Sequence, residues 1–474
     1  MQGPRGLRGD ENGGKMNMQT PAETVQKQRE FFLTHATKDI SFRKKNLEKL
    51  LAGIQKYEAR ILEALHADLH KHPFEAYGTE IGIVLEELKY QIRHLHRFAR
   101  PKRKMNNLLN FPGTSQIIPQ PYGVVLVMAP WNYPFQLLMN PLIGAMAAGN
   151  CVVLKPADYS RNTSAVMAEL IRECFDEKYV SIFTGGRDVN NLLLEERFDT
   201  IFFTGSPSLG KIVMEKAARH LTPVILELGG KSPCIVDQDA NIEAAARRIV
   251  FGKFLNAGQT CIAPDYLFVH KSVKDRLLEA MKVCLTRFYT ADPKTSKSYG
   301  RIINARQFER LSQLMACGTI YSGGKTDAAA LYIEPTLLVD VKPEDPVMNE
   351  EIFGPIFPVM EFSRIDTVID YINRRERPLA FYYFSESEEQ QKDILDKTTA
   401  GGGCINDTVM HLSDPFLPFG GVGNSGMGRY HGKYSFDAFS HFRSVLKKST
   451  RLDIPIRYAP YTRWGIKLLK LILG

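Results

Sequence analysis

The sequence has few cysteines, and their spacing does not suggest a disulfide-bonded or metal-bound framework. Its seven cysteines are scattered through 474 residues without CxxC pairs or regular spacing. No disulfide framework or zinc site can be read from them, no metal is expected, and a reducing compartment is the natural interpretation. No apolar run approaches the ~20 residues that span a bilayer, and no N-terminal segment has the design of a signal peptide. We therefore expect a cytoplasmic protein.

Acidic residues are fewer than basic ones, although the imbalance is modest. The formal net charge of +9 would suit nucleic acid or an anionic membrane. No nucleic-acid-binding motif accompanies it, so we expect a solvated basic surface and no nucleic-acid partner. Part of the excess is concentrated near the end of the chain, where Asp453 is the acid among Arg443, Lys447, Lys448, Arg451, Arg457, Arg463, Lys467 and Lys470.

Apolar strands alternate with helix-length stretches in the first half of the chain, after a helical region that includes a helix over Ile81 to Phe98. Strands are predicted near residues 123–128, 151–154, 179–183, 199–203 and 222–226. This alternation is typical of βαβ units around a parallel sheet, and residues 237–425 form a second α/β region. The expected fold class is α/β, without the usual Gly-x-Gly-x-x-Gly dinucleotide fingerprint.

Several residues suited to binding follow predicted strands directly. Asn132 follows the first strand, where its amide can face a developing oxyanion, and Lys155 ends the second. Gly205 and Ser206 lie in a turn from strand to helix, which offers backbone N–H groups to a phosphate. Because ligands bind at the carboxyl ends of strands in an open parallel sheet, these residues are expected around one site.

A cysteine and a glutamate, each in a glycine-bearing segment, supply the parts for covalent acyl chemistry. Cys261 ends the segment Gly-Gln-Thr-Cys, and Glu227, thirty-four residues earlier, begins Glu-Leu-Gly-Gly-Lys. A thiolate is a nucleophile, and a carboxylate can take a proton from water. Taken alone, Cys261 would be an inert buried cysteine and Glu227 a paired or solvated acid. The surrounding motifs favour the catalytic interpretation.

The order and spacing of the motifs resemble the aldehyde dehydrogenases over about residues 25–446. The motifs are Ala-Pro-Trp-Asn at 129–132, Leu-Lys-Pro at 154–156, Phe-Thr-Gly-Ser at 203–206, Leu-Glu-Leu-Gly-Gly-Lys at 226–231, Gly-Gln-Thr-Cys-Ile-Ala-Pro-Asp-Tyr at 258–266, Glu-Glu-Ile-Phe-Gly-Pro at 350–355 and Pro-Phe-Gly-Gly at 418–421. The Cys-Ile-Ala-Pro-Asp-Tyr segment, with Ser-Gly-Met-Gly-Arg-Tyr-His-Gly at 425–432, resembles the class-3 branch, which includes the fatty aldehyde dehydrogenases.

The resemblance implies oxidation of an aldehyde to a carboxylic acid through a thioester on Cys261. Asn132 and the Cys261 backbone N–H would hold the oxyanion, and Glu227 would activate the hydrolytic water. The implied coenzyme is NAD or NADP. Its candidate contacts are Trp131, Lys155, Asp158, Gly205, Ser206, Gly210, Leu228, Glu351 and Phe353.

Specificity is weakly encoded. Many relatives carry a glutamate three residues after the lysine, where this chain has Asp158. A glutamate there favours the free 2′-hydroxyl of NAD, so the shorter acid leaves the choice between NAD and NADP open. Tyr133, His411 and Phe416 are the candidate substrate-pocket residues. Medium- or long-chain aliphatic aldehydes, or aromatic ones, are the expected substrates.

The resemblance also divides the chain into domains. Residues 19–101 and 121–227 would form the NAD(P)-binding domain, and residues 228–425 the catalytic domain. Segments 102–120 and 426–446, with an edge strand over 435–446, would form a small β oligomerisation element. Because exposed strand edges invite pairing, we expect a homodimer.

The two ends of the chain lie outside these domains. Residues 1–18 are expected to be disordered, with Met16 or Met18 as a candidate start. Residues 447–474 form a basic and apolar tail that is too short to span a membrane. The tail either lies in a membrane interface, or packs on the partner subunit or frays.

Two other functions stay open at this point. An acylating dehydrogenase of the same fold would pass the acyl group to coenzyme A. Glu227 argues against it, because such an enzyme needs no base to activate water. A structural or binding protein on the same scaffold would be expected to have lost the nucleophile or the base, whereas Cys261 and Glu227 are both present.

Overall fold

The computed structural model describes residues 20–453 and 457–473. Its helices are α1 (Pro21–Leu33), α2 (Ile40–Leu69), α3 (Pro73–Ala76), α4 (Gly82–Ala99), α5 (Gln136–Ala148), α6 (Arg161–Cys174), α7 (Arg187–Glu195), α8 (Pro207–Ala218), α9 (Ile242–Phe254), α10 (Lys274–Tyr289), α11 (Ala305–Leu314), α12 (Ile365–Asn373), α13 (Glu388–Lys397), α14 (Lys433–Ala438) and α15 (Arg463–Leu473). The predicted disordered segment 1–18, with its candidate starts, lies outside the described residues.

The strands form two large sheets and two small ones. They are β1 (Lys102–Lys104), β2 (Gly113–Pro121), β3 (Val124–Met128), β4 (Cys151–Lys155), β5 (Val180–Ile182), β6 (Thr200–Gly205), β7 (Val224–Leu228), β8 (Pro233–Val236), β9 (Tyr266–His270), β10 (Thr319–Ser322), β11 (Thr326–Asp327), β12 (Tyr332–Ile333), β13 (Thr336–Val339), β14 (Ile356–Phe362), β15 (Ala380–Phe384), β16 (Gly402–Ile405), β17 (Gly426–Met427) and β18 (Ser440–Lys448).

The first large sheet has the order β17-β7-β6-β3-β4-β5. Strands β3 to β7 are mutually parallel where they pair, and β17 is antiparallel to β7. Every residue of β3 and β4 is buried, as expected for strands covered on both faces by helices. This sheet confirms the α/β class and the alternation predicted between residues 122 and 236.

Helices cover the first sheet because their apolar residues recur at helical spacing. In α2 the buried residues include Leu47, Leu50, Ile54 and Ile61, which form one stripe along the helix. Helix α5 is buried along its whole length. The buried α5 fixes the position of the loop that precedes it, which contains Asn132.

The second large sheet has the order β10-β13-β14-β9-β8-β15-β16, and all of its strands come from residues 233–405 and lie within the described chain. Only β10 pairs antiparallel among these described strands. Cys261 lies five residues before β9, so its loop leads to the amino end of that central strand. The parallel strands of the first sheet come from residues 124–228, and the strands of the second from residues 233–405.

The third sheet joins β1, β2 and β18, and it corrects one expectation. Residues 435–446 were expected to form a strand, but Lys433–Ala438 is helix α14 and the strand begins at Ser440. An ion pair between Lys433 and Asp437, one turn apart, stabilises the helix. Phe436 packs on Phe98 from the helical face. The strand then pairs antiparallel with the whole of β2.

The end of the chain carries α15, an exposed helix. Trp464, Ile466, Leu471 and Leu473 are all exposed on it. Within the two described ranges, no helix is long and apolar enough to cross a membrane. Each of the seven cysteines falls inside those ranges and carries a free thiol.

Candidate active site

A cavity of about 1430 Å³ lies where the two large sheets meet. Its walls include residues that follow β3, β6 and β7 of the first sheet, because the carboxyl ends of parallel strands share one edge. The loop before β9 supplies the opposite wall. The sequence-predicted residues among its lining are Trp131, Asn132, Tyr133, Gly205, Ser206, Glu227, Leu228, Cys261, Glu351 and Phe353.

Cys261 is presented by an unusually tight loop after α9. Asn256 and Ala257 have φ values of 52° and 51°, and Gly258 has 74°, so three consecutive residues are left-handed. Such a conformation is costly for residues other than glycine and is common at functional sites. Burial raises the pKa of the Cys261 thiol, and the Glu351 and Glu227 carboxylates raise it further.

Asn132 is buried, and a hydrogen-bonded frame holds its backbone. Its carbonyl accepts from Lys71 Nζ at 2.9 Å and from Asn256 Nδ2 at 2.8 Å. Its side-chain Nδ2 donates to the Gln259 carbonyl at 3.1 Å. Since an amide has two N–H groups, the second remains available to an oxygen in the cavity.

The frame continues to the start of α5 through a buried ion pair. Lys71 and Glu80 are in contact and both side chains are fully buried. Glu80 Oε2 accepts from the backbone N–H groups of Phe135 and Gln136, at 2.9 and 3.3 Å. A carboxylate at this position satisfies backbone N–H groups at the start of α5 that would otherwise lack partners, and its negative charge interacts favourably with the helix dipole. The loop carrying Asn132 is thus attached at both ends.

Glu227, at the end of β7, is buried without such a frame. Neither carboxylate oxygen has a hydrogen-bond partner among the described residues. Burial raises the pKa of Glu227 well above its ordinary value. A carboxyl group with a raised pKa, open to a cavity that also contains a thiol, is suited to exchanging protons.

Glu351, Phe353 and Trp131 form a second group in the cavity. The Phe353 ring meets the Trp131 ring edge to face, with centroids 5.4 Å apart. Phe353 has a φ of 51°, which directs its chain sharply after Glu351. The Glu351 carboxylate lies against Gly229, where any side chain would collide with it. Burial raises the pKa of Glu351, Asp265 adds to the effect and Lys231 opposes it.

The turn from β6 to α8 fits a dinucleotide phosphate. Ser206 caps α8 by accepting from the Leu209 N–H at 3.4 Å, and Gly205 and Ser206 line the cavity. Thr204 Oγ1 is buried there, with no partner in the described chain. Gly210 lies beneath, against the Leu228 side chain, and is not among the described lining residues. Helix start, small residues and a free hydroxyl together suit a phosphate ligand.

Lys155 and Asp158 lie near this turn but outside the cavity lining, as far as the described residues go. Lys155 Nζ donates to the Pro156 carbonyl at 2.6 Å. Burial lowers the pKa of Lys155 to about 8, and Asp158 opposes that shift. The Asp158 carboxylate lies beside Gly186. Both residues therefore sit at the sheet edge, where the adenosine half of a dinucleotide would extend.

The three substrate-pocket candidates have different positions. Tyr133 lines the cavity, and its hydroxyl is 2.6 Å from Thr260 Oγ1. His411 and Phe416 are not found in the lining, considering the described chain. The His411 ring stacks on Phe419, and burial lowers its pKa to about 4. Phe416 is 72% exposed. Only Tyr133 of the three is brought to the site.

Other lining residues carried no sequence signal. Glu75, on α3, lines the cavity and accepts from the Asn256 N–H at 2.9 Å. Burial raises its pKa to about 7. Tyr430 also lines the cavity. Tyr430 belongs to the segment 425–432, whose resemblance to the class-3 branch assigns it no role. Glu75 and the Lys71–Glu80 pair lie in a helical region where only burial distinguishes them from surface charges.

Comparisons with known proteins identify the family. Residues 15–445 match the model of the aldehyde dehydrogenase family. The chain is 50% identical over 433 residues to 4,4'-diaponeurosporen-aldehyde dehydrogenase of Staphylococcus aureus, covering 91% of this chain and 94% of that protein. It is 46% identical over 450 residues to aldehyde dehydrogenase family 3 member B1 of Bos taurus, covering 94% and 96%. A solved structure, the substrate-bound state of Staphylococcus aureus AldH, superposes with a TM-score of 0.94 at 47% identity, covering 96% of this chain and all 100% of that one.

Proposed function

This chain belongs to the class-3 branch of the aldehyde dehydrogenase family and oxidises aldehydes with NAD or NADP, and we propose that it does so through a thioester on Cys261. The observation that supports this most is the common cavity of Cys261, Glu227 and Asn132. Formation and hydrolysis of an acyl intermediate need a nucleophile, a proton acceptor and a hydrogen-bond donor to the oxyanion.

In the first half-reaction, the Cys261 sulfur bonds to the aldehyde carbon. The thiol must first lose its proton, which passes to solvent through the cavity, so that Glu227 stays free to act as a base in the second half-reaction. The carbonyl oxygen becomes negative and accepts from the second Asn132 N–H, the first being held by Gln259. Because the Asn132 loop is fixed by Lys71 and Asn256, this donor is in place before the substrate arrives.

A bound dinucleotide would supply the acceptor for the hydride that leaves the substrate carbon. We propose that Gly205, Ser206 and Thr204 hold its pyrophosphate, that Glu351 with Phe353 and Trp131 holds the nicotinamide half, and that Lys155 serves the adenosine half. The assignment of Gly210 and Leu228 is indirect, since Leu228 packs on Gly210 beneath the turn. Asp158 beside Lys155 leaves both NAD and NADP as coenzymes.

In the second half-reaction, Glu227 takes a proton from water while the water oxygen bonds to the thioester carbon. The C–S bond then breaks, and the acid leaves. The absence of protein partners for the Glu227 carboxylate, within the described chain, supports this role because its oxygens are free to meet water.

Medium- or long-chain aliphatic aldehydes, or aromatic ones, are the substrates we propose. Many of the cavity's lining side chains are apolar, among them Ile83, Leu137, Phe251, Leu255, Phe288, Tyr289, Met410 and Leu412. The Staphylococcus aureus relative is named 4,4'-diaponeurosporen-aldehyde dehydrogenase. Burial of apolar surface contributes about 25 cal/mol per Å², so chain length should appear in KM.

A coenzyme A test decides between hydrolysis and acyl transfer. A panel of aldehydes of increasing chain length is run with NAD and with NADP, and reduced coenzyme and free acid are measured without coenzyme A. We expect free acid in every productive reaction. In Glu227→Gln, one rapid burst of reduced coenzyme should precede slow turnover. Turnover that needs coenzyme A, or that is normal in Glu227→Gln, would overturn the proposal.

The domain assignment and the assembly are proposals as well. We assign residues 19–101 and 121–227 to the coenzyme domain, 228–425 to the catalytic domain, and 102–120 with 426–446 to oligomerisation. Gly426 and Met427 pair with β7, so the oligomerisation strand itself is β18. One edge of β18 has no strand partner among the described residues, which supports a homodimer; a monomer in solution scattering at micromolar concentration would contradict it.

For the tail we propose peripheral contact with the cytoplasmic face of a membrane. Helix α15 exposes Trp464, Ile466 and Leu471 and also carries Lys467 and Lys470, a combination that suits an anionic interface. Packing on the partner subunit is the competing role. The full chain should float with anionic vesicles more strongly than a truncation ending at Arg457. Equal flotation of the two would favour packing.

A further inference from the structure

Tyr430 is held rigidly at the cavity wall. Its backbone N–H donates to the Phe419 carbonyl at 2.8 Å, and the Phe419 N–H donates back at 3.0 Å. Its ring packs edge to face on Phe202, Phe419 and His431, with centroids 5.1, 5.8 and 4.4 Å away. The side chain is 0% exposed. A ring enclosed on three sides keeps its hydroxyl at a fixed position.

That hydroxyl has no hydrogen-bond partner in the part of the chain that the structure describes. A buried polar group without a partner costs roughly 1–3 kcal/mol, so a native protein seldom leaves one unless water or a ligand completes it. Tyr430 lines the same cavity as Cys261 and Glu227. The missing partner is therefore to be found in the cavity.

Three unpartnered polar groups share this side of the cavity. They are the Tyr430 hydroxyl, the Glu227 carboxylate with both of its oxygens, and the Gln136 side-chain nitrogen, none of which has a hydrogen-bond partner among the described residues. The backbone explains the proximity: Gly426 pairs directly with Glu227, and Tyr430 follows four residues later. Gln136 is a hydrogen-bonding neighbour that lowers the pKa of the Tyr430 phenol, although the geometry of the two groups does not complete a hydrogen bond.

We propose that Tyr430 and Gln136 hold the water that Glu227 activates, which makes Tyr430 a positioning residue for thioester hydrolysis. The inference rests on the thioester mechanism proposed above. One O–H of the water points at Glu227 and is transferred to it. The phenol oxygen accepts the other O–H, so that the water oxygen faces the acyl carbon. The new C–O bond forms as the C–S bond breaks, and the sulfur leaves as the Cys261 thiolate.

The phenol is a hydrogen-bonding group in this step and not a base. Burial raises the pKa of Tyr430 well above its ordinary value, and the Glu227 and Cys261 charges act in the same direction. The hydroxyl thus stays protonated across the working pH range. Its removal should slow hydrolysis without changing the pH at which the reaction titrates.

Tyr430→Phe in the full-length enzyme tests the proposal. Rapid mixing should show a burst close to one reduced coenzyme per active site, with a hydride-transfer rate near that of the parent. Steady-state kcat should fall about tenfold, the rate equivalent of one hydrogen bond. Added hydroxylamine, which attacks a thioester without help from Glu227, should restore turnover. A merely structural loss would not be rescued in this way.

Tyr179→Phe is the matched control. Tyr179 is also buried with a hydroxyl that lacks a partner in the described chain, yet it is absent from the described cavity lining. This variant should keep the parent burst and kcat. Parent-like kcat in Tyr430→Phe, or loss of its burst, would overturn the role of Tyr430. Failure of the thioester mechanism itself is a separate result, since the parent would then form no acid without coenzyme A.

Discussion

The two sides of the catalytic cavity treat their buried polar groups differently. On the first side, which we call the Asn132 side (Lys71, Glu80, Asn132, Asn256, Gln259), most donors and acceptors have a protein partner. Exceptions among described residues include Asn256 Oδ1 and the second N–H of the Asn132 amide. On the second, the Glu227 side (Gln136, Glu227, Tyr430), the carboxylate, the hydroxyl and the amide nitrogen have none in the described chain.

The difference separates two tasks. Groups on the Asn132 side act on a charge that appears at one fixed place, so a frame that is complete beforehand costs nothing at the moment of reaction. Groups on the Glu227 side must accept a water that is consumed in every turnover, and a protein partner would compete with it. The hydrogen bonds that stabilise the fold are therefore concentrated on the Asn132 side, and buried polar groups without partners are tolerated on the Glu227 side.

Cys261 lies between the two sides, and its removal has the largest expected effect. Cys261→Ala should lower aldehyde oxidation by more than ~10³-fold, since without the nucleophile neither side has an intermediate to act on. Dinucleotide binding, followed by fluorescence titration, should persist. Cys404→Ala is the control, because Cys404 is absent from the described lining. Residual activity above a few per cent would mean that the reaction is not covalent.

Lys71→Met breaks the Asn132 side where it is most buried. Glu80 would keep its charge without a counter-ion, and such a loss costs roughly 3–5 kcal/mol in the free energy of unfolding. Chemical denaturation should show it, with partial recovery in the double variant Lys71→Met, Glu80→Gln. Tyr430→Phe, on the other side, should cost under about 1 kcal/mol because no protein hydrogen bond is lost. Similar losses in both variants would remove the distinction between the sides.

Asn132→Ala removes the side-chain N–H that binds the oxyanion on the Asn132 side, while the backbone contacts of residue 132 stay in place. We expect the single-turnover rate of hydride transfer to fall on the order of 10²–10³-fold. The defect should appear in the burst phase, in contrast to Glu227→Gln, where the burst survives. If Asn132→Ala slowed only the steady state, the donor would serve hydrolysis and not the first oxyanion.

Glu75→Gln sharpens the comparison with a smaller effect. The pKa of Glu75 is raised to about 7 in the folded chain, so folding takes up a proton between the ordinary glutamate pKa and 7. The parent's stability should therefore fall as pH rises through that window, by up to about 3 kcal/mol from this group, since one pKa unit corresponds to about 1.4 kcal/mol. Relative to the parent, Glu75→Gln should gain stability between pH 5 and 8 in urea unfolding. Parallel stability curves would show that Glu75 titrates normally.

The sequence by itself determined the features that depend on neighbouring residues, namely the parallel sheet and the motifs around the site residues. The alternation that predicted the parallel sheet depends on strand and helix periods, which are local. The motifs around Cys261, Glu227 and Asn132 were recognisable because glycine turns and strand ends must be encoded next to the residues they present. The strand expected over 435–446 exists from Ser440 onward, but its predicted start was wrong. Helix α14 precedes it, stabilised by the Lys433–Asp437 pair and by Phe436 packing on Phe98, and packing partners are not visible in a short window.

Tertiary structure alone decided which polar groups find partners. Lys71 and Glu80, or Glu75 and Asn256, meet only when α2, α3 and the Cys261 loop are brought together. Tertiary structure also decided that Phe416, which the sequence predicted in the substrate pocket, is exposed. By itself the sequence specified a nucleophile, a base and a family of chemistry, because those are properties of side chains. The difference between the Asn132 side and the Glu227 side depends on distances between segments far apart in the chain, and only the folded chain sets those distances.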